Sequence, residues 1–322
     1  LPIFYIPALF SHEIYPVFPP SGLSKNLVLC HDIIPYLYPD VYFSDRSSDN
    51  CTDYLQRYKS FYQADLYLTN SNTTAQDLAQ HIGVPPEVII PILGGGADRS
   101  SLSLIKPESL DKNLKKFILM PSGDDFRKNN LAAAKAFKQF NATDKGGYKL
   151  LITSKFSEGS KKELSAISKD IIFLGNISGE EYNWCIKNSS AVLFPTLYEG
   201  LGMPILEAMG ASKPIACSDI AVFNEIANDN LWLFNPKSVD DMARAIYKAA
   251  SLDKIDQQTA NTYKDALGKY NWESTAKSFL VAIEKLNTLK AQSKNRPLIA
   301  IAAPNPESYS AIGIVTMHMH AE

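Results

Sequence analysis

The chain has 322 residues, 45% of them hydrophobic and 20% charged, with a formal net charge of −2. That length exceeds one ordinary domain and suits two, and the charge balance shows no large basic excess for nucleic acid or an anionic membrane, while local basic clusters stay open. No apolar run approaches the ~20 residues that a membrane-spanning helix needs.

Cys30, Cys51, Cys185 and Cys217 are far apart, with no Cys-x-x-Cys metal spacing, and read as reduced thiols of a cytosolic protein. Asn-x-Ser/Thr sequons begin at Asn72, Asn141, Asn176 and Asn188 and read as chance in the absence of a signal peptide. A start at Leu1, without methionine or a charged leader, suggests a fragment.

Residues 1–95 contain four short extended candidates, at Ile3–Ile6, Leu27–Cys30, Leu66–Thr69 and Val88–Ile92. A Pro/Tyr-rich loop is expected over Pro35–Phe43. Helices are expected to end near Ala64 and to span Thr73–Ile82, with Ser71 and Asn72 as caps and Gly83-Val84-Pro85-Pro86 as the stop. Strands alternating with helices indicate a parallel sheet. Four strands are too few for a whole doubly wound half, so the beginning of this domain is expected to be missing. Gly94-Gly95-Gly96 then marks a domain boundary or hinge.

A second alternating pattern follows. Its apolar runs are Phe117–Met120, Lys149–Ile152, Ile171–Leu174, Ala191–Phe194, Pro214–Cys217 and Leu231–Phe234. Most are continuous, as expected of strands covered on both faces, and six such strands make a Rossmann-like domain. Ser238–Ser251, Ile255–Leu267 and Glu273–Leu289 read as closing helices. The expected domains are 1–95, 96–291 and a tail, 292–322, in which Pro297–Ala303 is a further strand.

Ligands of open parallel sheets bind beyond the carboxyl ends of the strands, where three turns carry suggestive residues. After the first strand of the second pattern, Gly123 permits close backbone approach, and Arg127 and Lys128 offer a guanidinium fork and a point charge suited to a diphosphate. After the fourth, Gly200, Gly202, Met203 and Pro204 open a helix whose N–H groups can face an anion. Glu199 precedes that turn and Glu207 lies inside the helix. After the third, the backbone around Ile177 can bond a base edge.

Glu199-Gly-Leu-Gly-Met-Pro-Ile-Leu-Glu207 resembles the Glu-x7-Glu motif of the family-4 retaining glycosyltransferases. Gly123-Asp-Asp-Phe-Arg127-Lys128-Asn129 is similar to that family's diphosphate loop, and His31-Asp32-Ile33-Ile34-Pro35 to its amino-domain His-Asp-x-Ile-Pro segment. Ala64–Ser71 also matches, and the resemblance runs over residues 1–290 in the family's order. It implies an α/β chain of GT-B fold, with two Rossmann-like parallel-sheet domains facing across a cleft, the amino-terminal one incomplete. It implies transfer of a hexose from a nucleotide-diphosphate sugar with retention and without a metal.

On the same resemblance Glu199 contacts the donor sugar and Glu207 the ribose. Arg127 and Lys128 neutralise the departing diphosphate, the backbone at 202–204 assists, and His31 reaches toward the sugar. The subtype suggests a mannosyltransferase of bacterial surface-polysaccharide synthesis, with GDP-mannose as donor and a glycan or lipid-linked saccharide as acceptor. The expected location is cytoplasmic, with peripheral association at the inner face of the plasma membrane and no nucleic-acid partner. Ile299–Gly313 resembles the family's first strand and loop, and either starts a second transferase in tandem or completes the first sheet. Two other readings stay open. One is a non-catalytic nucleotide- or glycan-binding module, and the other is a sugar-nucleotide epimerase on the same scaffold.

Overall fold

The computed structural model describes residues 1–7, 18–19, 22–44, 49–96, 103–143, 147–227, 231–252 and 254–289. The expected strand at 297–303 and the whole 292–322 tail lie outside the described residues. Two compact units are present: residues 1–94 with 273 onward, and residues 95–272.

The first unit holds β1 (Ile3–Ile6), β2 (Lys25–Cys30), β3 (Leu66–Thr69) and β4 (Ile89–Pro91), all parallel and in sequence order across the sheet. Helices α1 (Ile34–Leu37), α2 (Pro39–Tyr42) and α3 (Asp49–Phe61) link β2 to β3, and α4 (Asn72–Asp77) follows β3. Alternation sorts the side chains. Val28, Cys30 and Tyr67 face a cluster with Phe61, Leu78 and Ile82. Leu27, Leu66 and Leu68 face the opposite way.

Pro35–Phe43, expected as a loop, forms the single turns α1 and α2 instead. Pro35 and Pro39 stand in first turns, where no N–H is needed, and the Ile34 N–H donates to Asp32 Oδ1 at 3.1 Å. Ser71 caps α4 by accepting the Thr74 N–H at 3.0 Å, and Asn72 is the first helical residue. The last turn widens to a π-helix over Leu78–Ile82, closed by Gly83 at φ 76°.

The second unit contains β5 (Phe117–Met120), β6 (Lys149–Thr153), β7 (Ile171–Gly175), β8 (Ala191–Phe194), β9 (Ile215–Ser218) and β10 (Trp232–Phe234). All pair in parallel, in the order β10-β9-β8-β5-β6-β7. Its helices are α5 (Asn130–Thr143), α6 (Glu158–Ile167), α7 (Gly179–Asn188), α8 (Met203–Gly210), α9 (Ala221–Ala227), α10 (Val239–Ala250) and α11 (Gln257–Lys269). Every residue of β5, β8 and β9 is buried, which explains their unbroken apolar runs. Ile118, Met120, Leu150 and Leu193 pack with α5 and α10 on one face, while Phe117, Leu119 and Leu151 pack with Cys185 and Ile186 of α7 on the other.

The units part between Gly94 and Gly95. Glycine there is a packing requirement: a Cβ on Gly95 would lie 2.7 Å from the Trp272 nitrogen, and one on Gly96 would lie 2.9 Å from Leu206 Cβ.

The last helix, α12 (Trp272–Thr288), was expected to stay with residues 96–291, but from Glu273 onward it belongs to the first unit. Ala282 and Leu286 are fully buried against Leu27, Leu66 and Leu68, and Thr275 Oγ1 donates to the Leu93 carbonyl at 2.6 Å. Lys25 Nζ donates to the carbonyls of Leu286, Asn287 and Leu289 at 2.7, 2.8 and 2.8 Å, a cation at the negative end of the helix. Lys25→Met is therefore expected to destabilise the first unit by about 1 kcal/mol and to speed amide exchange in the last turn of α12. Unchanged exchange there would show that Lys25 does not anchor the helix.

Candidate active site

The second sheet is wound from β5 outward to β6 and β7, and then returns to β8 on the other side of β5. The direction of winding reverses between β5 and β8, and open parallel sheets bind their ligands beyond the carboxyl ends of the strands at such a switch point. Residues 121–129 follow β5, and residues 195–202 follow β8.

The first loop ends in a single 3-10 turn, Phe126–Lys128. Asp125 caps it, its Oδ1 accepting the Arg127 N–H at 3.0 Å. The second loop is fastened to this turn. The Leu197 N–H donates to the Arg127 carbonyl at 2.7 Å, and Thr196 Oγ1 lies 3.1 Å from the same oxygen.

That fastening brings Glu199 against both cations. Its Oε1 lies 2.6 Å from Lys128 Nζ and 2.8 Å from Arg127 Nη1. Arg127 Nη1 also donates to the Tyr198 carbonyl at 3.3 Å, and its Nε lies 3.6 Å from Asp125 Oδ1. The side chains of Arg127, Lys128 and Glu199 are 19%, 22% and 13% exposed, so water screens them only partly. Two cations on one carboxylate oxygen form a centre that can share its positive charge with an incoming anion.

Past Glu199 the chain turns into α8. Gly202 is its N-cap at φ 81°, and Pro204 sits in the first turn. A Cβ on Gly202 would come within 2.7 Å of Phe223 Cε1. Met203 is 41% exposed, whereas Gly200 and Glu207 are buried. Gly123 has open space where a Cβ would stand, and its carbonyl accepts from Asn130 Nδ2 at 2.8 Å.

Ile177 and His31 sit at other strand ends. Ile177 follows β7, which β6 separates from β5, and packs against the cluster containing Cys185 and Ile186. His31 belongs to the first unit, exposed at the end of β2, with Nε2 3.2 Å from the Pro7 carbonyl. Asp124 serves the start of α6. Burial would raise its pKa, but hydrogen bonds from the Ser157 N–H and the Ser160 and Ser157 hydroxyls outweigh that and hold it below the usual carboxylate value. Asp125, Thr196 and Phe223 were not anticipated. Of these only Asp125 carried a local signal, as a capping residue two positions before Arg127.

The family model for glycosyl transferases group 1 matches residues 104–265, half of the chain and the stretch that runs from before β5 into α11. The chain belongs to the group 1 glycosyl transferases. Among curated relatives, the serotype-specific mannosyltransferase WbdA of Escherichia coli is 25% identical over 287 residues, covering 84% of this chain and 34% of WbdA. The O-antigen chain mannosyltransferase RfbU of Salmonella typhimurium is 25% identical over 234 residues, covering 70% of this chain and 60% of RfbU. This group 1 glycosyl transferase chain thus spans about a third of the length of the WbdA relatives it matches.

Among solved structures, a UDP-forming α,α-trehalose-phosphate synthase from Burkholderia xenovorans superposes with a TM-score of 0.64 at 14% identity, over 82% of this chain and 69% of its own. A sucrose-phosphate synthase from Thermosynechococcus elongatus gives 0.63 at 18%, over 82% and 68%. These likenesses establish the fold, two parallel-sheet α/β domains of GT-B type. No helix among the described residues is long and apolar enough to cross a membrane.

Gly202 is needed both for its left-handed backbone and for the approach of Phe223. Gly202→Ala is expected to cost at least about 1–2 kcal/mol in denaturant unfolding, because alanine is strained in that region and its Cβ meets the ring. Wild-type stability in that variant would show that the turn can move away.

Proposed function

We propose that this chain is the catalytic module of a retaining hexosyltransferase of family-4 type, in which Glu199 and Glu207 are the two carboxylates of the Glu-x7-Glu motif. It moves a mannosyl group from a nucleotide-diphosphate sugar, best read as GDP-mannose, to a glycan or lipid-linked saccharide in surface-polysaccharide assembly. The observation that carries this reading is the contact of Glu199 with Arg127 and Lys128 at the switch point of the second sheet. Mannosyltransferase relatives support the sugar.

In the reaction the bond from the anomeric carbon to the diphosphate breaks, and a bond to an acceptor hydroxyl oxygen forms. The nucleoside diphosphate leaves with the bonding electrons, and the hydroxyl proton passes to one of its departing oxygens. Negative charge grows on the leaving oxygen, so Arg127 and Lys128 act most strongly as that bond breaks. The N–H groups at the start of α8 face the same charge. Glu199 orients the donor sugar, Glu207 holds the ribose, and the backbone at Ile177 bonds the base. No step calls for a metal, and we place the protein in the cytoplasm, at the inner face of the membrane that holds its acceptor.

Glu199→Gln is expected to lower mannosyl transfer by at least about a hundredfold while leaving thermal unfolding unchanged. Transfer at the wild-type rate would reject the assignment. A binding module without turnover is the second reading. It predicts that the wild-type protein binds nucleoside diphosphate and transfers nothing.

A further inference from the structure

Asn129 ends the turn that carries Arg127 and Lys128, and it does four things at once. Its backbone is left-handed, at φ 56° and ψ 35°, a region that asparagine enters more readily than most residues. Its N–H donates to the Phe126 carbonyl at 3.0 Å and closes the turn. Its carbonyl accepts the Ala133 N–H at 3.1 Å and opens α5. Its side-chain amide spends both hydrogens on the other strand ends. Nδ2 donates to the Pro195 carbonyl at 3.0 Å, just after β8, and to the Pro236 carbonyl at 2.8 Å, just after β10.

From this we infer that Asn129 is a positioning residue for the transfer reaction, locking the loops after β5, β8 and β10 into one arrangement and so holding Arg127, Lys128 and Glu199 in register. The inference rests on the donor-site reading above. Asn129 donates to two backbone carbonyls and touches none of the three charged side chains by any hydrogen bond described. It works through the loops that bear them. Side chains other than an amide fit poorly. A carboxylate of the same shape would set acceptors against two carbonyl oxygens, and a hydroxyl has one hydrogen for two acceptors. Ground-state attraction between the cations and a diphosphate survives loose placement. Alignment matters most as charge moves onto the leaving oxygen, so the loss should fall on turnover more than on donor binding.

The test compares wild type with Asn129→Gly, which keeps the left-handed backbone without the amide, and with Asn129→Asp. Two readouts are taken on the intact protein: amide exchange of Leu197, whose N–H meets the Arg127 carbonyl, and steady-state transfer from GDP-mannose. Leu197 is expected to exchange at least about tenfold faster in both variants, with the β5 and β6 amides still protected. The turnover number should fall at least about tenfold, with the donor KM within about twofold. Unchanged Leu197 exchange and turnover would overturn the inference. So would protection lost throughout the sheet, or failure of both variants to fold, since either outcome marks a purely structural role. If the wild-type protein transfers nothing, the donor reading fails and the positioning role with it, and Leu197 exchange then decides only whether Asn129 locks the loops.

Discussion

One carboxylate oxygen, Glu199 Oε1, takes two cations, Lys128 and Arg127, from a loop more than 70 residues earlier in sequence. Three partly shielded charges persist in such a cluster only when the backbone around them fixes their positions, because desolvation must be offset by good geometry. That backbone is supplied by the reversal of winding between β5 and β8, which delivers two strand-end loops side by side. Asp125 shapes one loop and Thr196 and Leu197 clamp the other to it, so the ion cluster follows from topology and a few polar contacts.

The same economy governs the sheets. A parallel sheet is stable only with both faces covered. In the second unit α5, α7 and α10 provide that cover locally. In the first, α3 and the helix after β3 cover one face, and α12 returns from the far end of the chain to cover the other. The chain therefore closes its amino-terminal unit with its last described helix, and Lys25 on β2 holds that helix by its terminal carbonyls.

The strands of the second unit were legible because burial on both faces leaves an unbroken apolar run, and structure and sequence differ there by a residue or two at the ends. Glu199 and the basic pair stood out in the sequence by their position after strands, and the structure brings these three side chains together. The attachment of α12 was not, because an amphipathic pattern says that a helix is half covered without saying by which sheet. The turns at Pro35 and Pro39 were hidden by reading proline as a loop signal alone. Asn129 was unreadable for another reason. Its carbonyl partners lie 66 and 107 residues away, and a polar residue in a loop looks solvated until the loops are brought together.

The proposed reaction depends on Arg127 and Lys128 binding the diphosphate of the donor. Calorimetric titration of GDP and GMP into the wild-type and Arg127→Ala proteins tests it most directly. The account predicts that GDP binds the wild type more tightly than GMP does, and that Arg127→Ala weakens GDP at least about tenfold while changing GMP much less. Equal affinity of GDP for both proteins, or no preference for the diphosphate, would contradict it.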